Sequence, residues 1–206
     1  MIITEIAPYT KGRYKIYMDD EFAFVLYKGD ISSCGLKAGE EVSESTFHTI
    51  MNEILPKRAF SRALNLLEHK DYTEREIRTK LTEGLYPDSV TDAAIAMLIS
   101  NRFIDDLRYA TRFVELHYER ESLLALKQKL SRHGIQKSVI DTAVERYRED
   151  HEDSGEESVL RGFISRKNIR IDELSFEETQ KLRLSLLRKG FSYEAIASVL
   201  KSSDFE

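Results

Sequence analysis

Cysteine is almost absent from this chain, since Cys34 is its single representative among 206 residues. One cysteine cannot form an intrachain disulfide, so the class of small secreted domains held together by disulfides is excluded. The same scarcity is typical of proteins from a reducing compartment. The N-terminus also lacks the apolar segment of a signal peptide, and we therefore expect a cytoplasmic protein.

Long hydrophobic runs are also missing, because no apolar stretch approaches the roughly 18 residues of a membrane span. We therefore expect no membrane association. Residues are 41% hydrophobic and 33% charged, which permits real cores beneath extensive solvated helix surface. The formal net charge of −5 argues against binding nucleic acid through overall charge, although it permits a local basic face.

Catalytic motifs are absent at every spacing that chemistry would require. No two of the five histidines lie within one helical turn, and none of the nine glycines precedes the Lys-Ser or Lys-Thr of a phosphate loop. Adjacent carboxylates at Asp105 and Asp106 suggest a metal site, but helix capping with a salt bridge explains them better. We expect a protein that is not an enzyme, with no metal and no cofactor.

The first 27 residues alternate with a period of two, which is typical of β-strands. Residues 13–18 and 22–27 form two such runs, separated by the turn-forming residues 19–21, and residues 2–6 supply a possible third strand. This pattern predicts a small N-terminal hairpin or sheet. Two roles are open for it: docking on the first helices, or binding a partner through a sheet edge.

Helical periodicity begins after Ser43 and carries clear boundary signals. Thr73 and Glu76 have the spacing of a capping box, and Gly84 is expected to end that helix in the left-handed conformation. Pro87 suits the first turn of the next helix, and Asp105 can cap the one after it.

The helical pattern recurs three times. The anchors Leu81, Leu130 and Leu186 are 49 and 56 residues apart, a period typical of stacked helical arrays. We predict a mainly α protein, an elongated array of three tandem three-helix repeats with the small N-terminal sheet. Its predicted segments are residues 1–56, with the hairpin and a connecting helix; 57–105, the first repeat; 106–150, the second; and 151–206, an acidic hinge near residues 151–157 followed by the third.

Basic residues recur on the solvent side of the equivalent helix in each repeat. Arg108 and Arg112, four residues apart, add a further basic face on the helix after Asp105. Two interpretations are open: a solvated face, or a basic stripe that meets an acidic protein surface or phosphates. The recurrent residues are Arg75, Arg78 and, less closely, Lys80 in the first repeat, Lys127, Lys129 and Arg132 in the second, and Arg183, Arg188 and Lys189 in the third.

The order and spacing of four motifs resemble the RecX family, the bacterial regulators of the RecA recombinase. The resemblance covers about residues 59–201, and it departs from the family where Ser122-Leu123 stands in place of an expected glycine. The motifs are Tyr72-Thr73-Glu74-Arg75-Glu76-Ile77 with Lys80-Leu81; Phe103-Ile104-Asp105-Asp106 with Tyr109-Ala110; Lys129-Leu130 with Gly134-Ile135; and Leu187-Arg188-Lys189-Gly190-Phe191-Ser192.

This resemblance implies a curved array of three-helix repeats that lies in the groove of a RecA filament on single-stranded DNA. It also implies modulation, usually inhibition, of the ATPase and strand-exchange activities of RecA, in homologous recombination and DNA repair. We expect a monomer. The alternative is a nucleic-acid-binding protein that acts directly through helix-turn-helix-like repeats, and salt-dependent binding to naked DNA would favour it. Weak direct DNA binding is compatible with the filament-binding interpretation as well.

Overall fold

A computed structural model describes residues 1–118, 120–151 and 155–201, the last residue by its backbone alone. The chain divides into two compact units, Met1–Asp105 and Asp106–Glu206. The division falls where the repeat pattern places the start of the second repeat. Among the described residues, no helix combines the length and hydropathy that a transmembrane span requires.

The first unit begins with a three-stranded antiparallel sheet, which confirms the predicted N-terminal sheet. Its strands are β1 (Ile3–Thr10), β2 (Arg13–Met18) and β3 (Glu21–Tyr27), in that spatial order. The two-residue turns Lys11-Gly12 and Asp19-Asp20 have positive φ at both positions, as a tight hairpin turn matched to strand twist requires.

Helices complete the first unit. Pro56 is the second residue of the helix that directly follows a π-helical segment. The predicted connecting helix therefore continues into the next one through this π segment. The elements are α1 (Lys28–Ser33), α2 (Glu44–Thr49), the π segment Ile50–Ile54, α3 (Leu55–Leu67), α4 (Glu74–Glu83) and α5 (Asp88–Ser100).

One hydrophobic core joins the sheet to these helices. Ile16 and Phe24 are register partners on the inner face of the sheet, and both belong to the same buried cluster as Leu55, Leu81 and Leu98 of the helices. Burial of such large side chains stabilises the fold by about 1.5–3 kcal/mol each. The sheet is therefore docked on the helices, the first of its two predicted roles.

In its described residues, the second unit has six α-helices around a second core. Residues from all six helices contribute to one buried cluster that spans the predicted second and third repeats. Residues 152–154 of the predicted hinge lie outside the described residues, and the hinge stays a prediction. The elements are α6 (Asp106–His117), α7 (Leu123–Arg132), α8 (Lys137–Asp150), α9 (Glu156–Arg166), the 3-10 turn Ile171–Glu173, α10 (Phe176–Arg188) and α11 (Tyr193–Lys201).

Each repeat contains three helices, and its third helix packs on both of the others: α5 on α3 and α4, α8 on α6 and α7, and α11 on α9 and α10. The middle helices begin at the equivalent caps Thr73, Ser122 and Ser175, whose hydroxyls each accept a backbone N–H three residues ahead. The Thr73–Glu76 and Ser175–Glu178 capping boxes are both formed, as predicted.

All three middle helices end in the same Schellman motif. The N–H of the second residue beyond the cap donates to Leu81 O, Leu130 O and Leu186 O, at 3.2, 3.3 and 3.2 Å respectively. Gly134 and Gly190 occupy the left-handed position of this motif, with φ of 88° and 87°.

The predicted left-handed role of Gly84 is wrong. Its φ is −76°, and Leu85 takes the left-handed position instead, with φ of 64°. A Cβ at Gly84 would lie 3.0 Å from Leu81 O and 3.2 Å from ring atoms of Tyr86, a tight fit that glycine avoids. The glycine permits close packing of the turn.

Candidate functional site

A groove of about 470 Å³ in the second unit collects a large share of the predicted basic residues. It lies between α7 and the turn that joins α10 to α11. We call it the basic groove. Its cationic lining residues are Arg120, Lys129, Arg132, Arg188 and Lys189.

The helical positions of the four cations on α7 and at the end of α10 explain why they face the groove. Leu126 and Leu130 take the buried side of α7, which leaves Lys129 and Arg132, three residues apart, on the accessible side. Arg188 ends α10 and Lys189 is its C-cap residue, a position where cations complement the negative end of the helix dipole.

A direct hydrogen bond joins the two walls of the groove. The Ser122 hydroxyl, 2% exposed, donates to Lys189 O at 2.5 Å and accepts from Ala125 N at 3.2 Å. A Cβ at Gly190 would lie 3.0 Å from both Ser122 Oγ and Leu124 Cβ. Ser122, which stands where the family resemblance predicts glycine, therefore caps α7 and also holds the α10–α11 turn against it.

The charge of the groove is predominantly positive. Glu121 is its single carboxylate among the described lining residues, and it accepts from Lys129 Nζ at 2.5 Å. Lys189 Nζ lies 5.4 Å from the centre of the Phe163 ring, a cation–π contact. Arg132 and Arg188 are exposed, so their charges face solvent. Arg188 Nε also donates to Leu184 O at 3.3 Å, within its own helix.

Apolar side chains accompany the cations. Leu124 is 53% exposed and Leu187 is 39% exposed, and both line the groove. Exposed leucines beside cations are typical of a surface that contacts another macromolecule, because the leucines contribute buried area and the cations select an acidic partner.

Two predicted contact residues are already paired within their own repeats. Arg78 of α4 contacts Glu74 at 3.2 Å and also Asp92 of α5, while Lys127 of α7 contacts Asp141 of α8 at 2.5 Å. The hydrogen bond to Asp92, with a weaker one to Glu74, raises the pKa of Arg78. The hydrogen bond from Lys127 lowers the pKa of Asp141. These cations hold helices together within a repeat.

The other predicted basic residues lie elsewhere. Arg75 is exposed on α4 of the first unit, and Arg108 and Arg112 are exposed on α6 of the second. Neither Arg108 nor Arg112 is among the described residues that line the groove. The structure therefore brings together Lys129, Arg132, Arg188 and Lys189, and the remaining predicted cations are not among the described residues that line the groove.

Sequence reasoning missed Arg120 as a lining residue. Arg120 follows the end of α6 in the connection to α7, where no periodicity indicates which way a side chain faces. Its neighbour Ser122 carried a usable signal, since Ser122 with Leu126 and Leu130 matches the cap-and-stripe pattern of Thr73 with Ile77 and Leu81. That alignment predicts the start of α7 and places Arg120 just before it.

Comparison with known proteins gives a consistent result for the whole chain. Residues 59–98 match the family model described as RecX, first three-helix domain. The Regulatory protein RecX of Clostridium acetobutylicum is 31% identical over 194 residues, which cover 93% of this chain and 90% of that protein. The Regulatory protein RecX of Caldanaerobacter subterraneus is 28% identical, with 97% and 98% covered.

Solved structures show the same similarity. A crystal structure of regulatory protein RecX aligns with a TM-score of 0.60 and 27% identity, covering 98% of both chains. The crystal structure of RecX from Lactobacillus salivarius aligns with a TM-score of 0.58, covering 74% of this chain and 99% of that one. The two sequences are 23% identical, so this second similarity is evidence for the fold alone.

Proposed function

The chain belongs to the RecX family of regulatory proteins, and from that premise we propose that it binds the RecA filament on single-stranded DNA and inhibits its ATPase and strand-exchange activities. The observation that carries the proposal is 31% identity to a Regulatory protein RecX over nearly the full length of both proteins. The basic groove supports it, because a cationic groove in a net acidic chain favours selective acidic contacts over wholesale binding of nucleic acid.

The physical mechanism is linkage between binding and filament state. A protein that prefers one state of the filament shifts the population only by its differential affinity for that state. Helical repeats present several separate surfaces, so contacts to neighbouring RecA protomers combine through effective concentration. Individually weak contacts then suffice on the filament and fail on a free monomer.

Within this mechanism, the basic groove contributes specificity and rate of association. Exposed cations such as Arg132 and Arg188 steer encounter with an acidic surface and penalise a basic one. The exposed apolar surface of Leu124 and Leu187 becomes buried in the complex and slows dissociation.

A binding comparison tests the proposal. The protein is titrated at physiological salt against RecA-coated single-stranded DNA, RecA alone and the DNA alone, and RecA ATPase is followed in parallel. We expect much tighter binding to the coated DNA than to either component, with a loss of ATPase activity. Equal affinity for bare DNA and filament would contradict the proposal and favour direct nucleic-acid binding through the helical repeats.

A further inference from the structure

The outer face of the N-terminal sheet carries an unusual concentration of aromatic side chains. The inner residues Ile16, Phe24 and Leu26 are buried in the core, and the pleat of the sheet turns other side chains outward. We call the outward set the aromatic sheet face. Its aromatic members are Tyr9 on β1, Tyr17 on β2, and Phe22 and Tyr27 on β3.

These rings are accessible and clustered. Tyr9, Phe22 and Tyr27 are 38%, 42% and 38% exposed. The rings of Tyr17 and Phe22 meet edge to face, with centres 5.9 Å apart. Single exposed aromatic residues are ordinary on protein surfaces, but four on one face of a three-stranded sheet indicate an interaction surface.

Cations are interleaved with the rings. Lys15 Nζ lies 5.0 Å from the centre of the Tyr9 ring and 6.0 Å from that of Phe22, so one ammonium is shared between two strands. Arg13 Cζ lies 5.3 Å from the Tyr9 ring centre. At the adjacent edge, Arg58 Cζ lies 4.9 Å from the ring of Tyr27, but its guanidinium is already paired with Asp30 at 2.7 Å, so Lys15 and Arg13 are the cations of this face that the inference uses.

The register of the sheet orders these groups into rows. Arg13 is opposite Tyr27, Lys15 is opposite Val25, and Tyr17 is opposite Phe22. In the last of these rows Glu5 on β1 is opposite Tyr17. The aromatic sheet face is therefore basic towards the Lys11-Gly12 turn and acidic towards the Asp19-Asp20 turn.

From this arrangement we propose that the aromatic sheet face binds single-stranded nucleic acid. Every base has a π-face, so aromatic rings spaced across a sheet stack unpaired bases whatever their sequence. Cations between the rings neutralise the phosphates that join those bases. Val25, the outward aliphatic residue of β3, is only 8% exposed, which leaves little surface for an apolar peptide.

The inference goes beyond filament binding and concerns a different part of the chain. Its residues belong to the first unit, whereas those of the basic groove belong to the second. Base stacking requires unpaired bases, so the expected ligand is a single strand and the expected affinity for duplex DNA is low. Both expectations can be measured with RecA left out.

Fluorescence anisotropy with labelled oligothymidylate tests the inference on the full chain at low salt. The Tyr9→Ala/Phe22→Ala double variant should bind at least roughly tenfold more weakly, because each removed ring takes away the stacking energy of one base. Phe176→Ala is the matched control, since Phe176 is an exposed aromatic residue, 81% exposed, on α10 of the second unit. The control should bind like the unaltered protein, and circular dichroism establishes that both variants are folded.

Two further measurements separate stacking from general charge attraction. Lys15→Gln should weaken the salt dependence: the magnitude of the negative slope of log affinity against log salt should fall by about one, as loss of one phosphate contact does. The chain has no tryptophan, so its intrinsic emission comes from tyrosine, and stacking should quench it. Tyr9→Phe should retain the affinity while reducing the quenching.

Specific outcomes would overturn the inference. They are undetectable binding of oligothymidylate by the unaltered protein, equal affinity for duplex and single strand, or unchanged affinity in the folded double variant. A reversal of charge in the basic groove, Arg132→Glu/Arg188→Glu, should leave oligothymidylate binding unaffected. The same reversal tests filament binding, so failure of one proposal is distinguishable from failure of the other.

Discussion

Arg78 of α4 contacts Asp92 of α5, which lies 14 residues further along the chain. The second repeat contains the same contact, because Lys127 Nζ of α7 donates to Asp141 of α8 at 2.5 Å, again 14 residues further along. Both cations stand three residues before the buried anchors Leu81 and Leu130. This ion pair ties the second helix of a repeat to its third.

The third repeat contains the cation without its carboxylate. Arg183 stands three residues before Leu186, and the position 14 residues further along is Ala197. The Nε of Arg183 is buried and has no hydrogen-bond partner in the described structure. A buried donor left unsatisfied costs about 1–3 kcal/mol, so this position is a local weakness of the third repeat.

Ala197→Asp should restore the missing pair. Aspartate has lower helix propensity than alanine, so the informative comparison is with Ala197→Asn, which has a similar propensity and no charge. We expect Ala197→Asp to have a free energy of unfolding about 0.2–1 kcal/mol above that of Ala197→Asn in urea titrations. The difference should disappear in an Arg183→Gln background; a difference that persists there would show that the introduced carboxylate acts without Arg183.

The anchor leucines give a prediction about the cores. Leu81, Leu130 and Leu186 are each fully buried, so replacement by alanine should lower the free energy of unfolding by about 2–5 kcal/mol at each position. Leu184→Ala is the matched control, because Leu184 is 55% exposed on the same helix as Leu186. Chemical denaturation measures all four variants. Losses under about 1 kcal/mol at the three anchors would contradict the assigned core.

The repeat turns give a prediction about glycine. Gly190→Ala combines a left-handed φ of 87° with a Cβ 3.0 Å from Ser122 and Leu124. Gly12→Ala has a similar φ of 76° and no atom within 4 Å of its Cβ, so it carries the backbone strain alone. The strain costs about 1–2 kcal/mol, and thermal unfolding should show a clearly larger loss for Gly190→Ala. Equal losses would mean that the α10–α11 turn moves away from α7 without penalty.

Local signals in the sequence were sufficient for most of the fold. Period-two alternation before Tyr27 predicted two strands and a possible third, and the Thr73–Glu76 spacing predicted the start of α4, because both signals depend on residues near one another in the chain. Gly84 was misassigned for a related reason. Its distance from Leu81 is one residue shorter than the distance from Leu130 to Gly134, so Leu85 and not Gly84 is in the left-handed position.

The basic groove depended on contacts that local spacing does not encode. The sequence predicted Lys129 and Arg188 as outward-facing residues, but their convergence requires Ser122 to bond Lys189 O across 67 residues. The sequence analysis grouped Lys127 with these residues because its ion-pair partner, Asp141, lies on another helix and leaves no local signal. Helical periodicity indicates which side of a helix is polar, and only tertiary packing decides whether a cation on that side is paired.

Acid sensitivity is predicted for the capping box of α10. Hydrogen bonds from the Ser175 hydroxyl, at 2.7 Å, and from its backbone N–H lower the pKa of Glu178 below its ordinary value of 4.5. Because the folded pKa is lower than the unfolded one, the stabilisation is present above pH 4.5 and is lost as pH falls through the folded value. The stability difference between the protein and Glu178→Gln should therefore shrink on acidification, as followed by circular dichroism. A difference that stays constant from about pH 6 to about pH 3 would exclude this origin.

Charge reversal in the basic groove tests whether its predicted contact residues act together. Arg132 and Arg188 are exposed, so Arg132→Glu/Arg188→Glu should change the free energy of unfolding by only about 0–1 kcal/mol per site. If the groove meets an acidic surface or phosphates on the filament, the same change places like charges together and should weaken filament binding by several kcal/mol. Arg75→Glu is the matched control, since Arg75 is equally an exposed helical arginine and lies on α4, outside the groove.

Unchanged melting with lost inhibition of RecA ATPase supports the groove as the contact surface. Unchanged melting with full inhibition would contradict it, and Arg108 and Arg112 on α6 would then be the predicted cations to test.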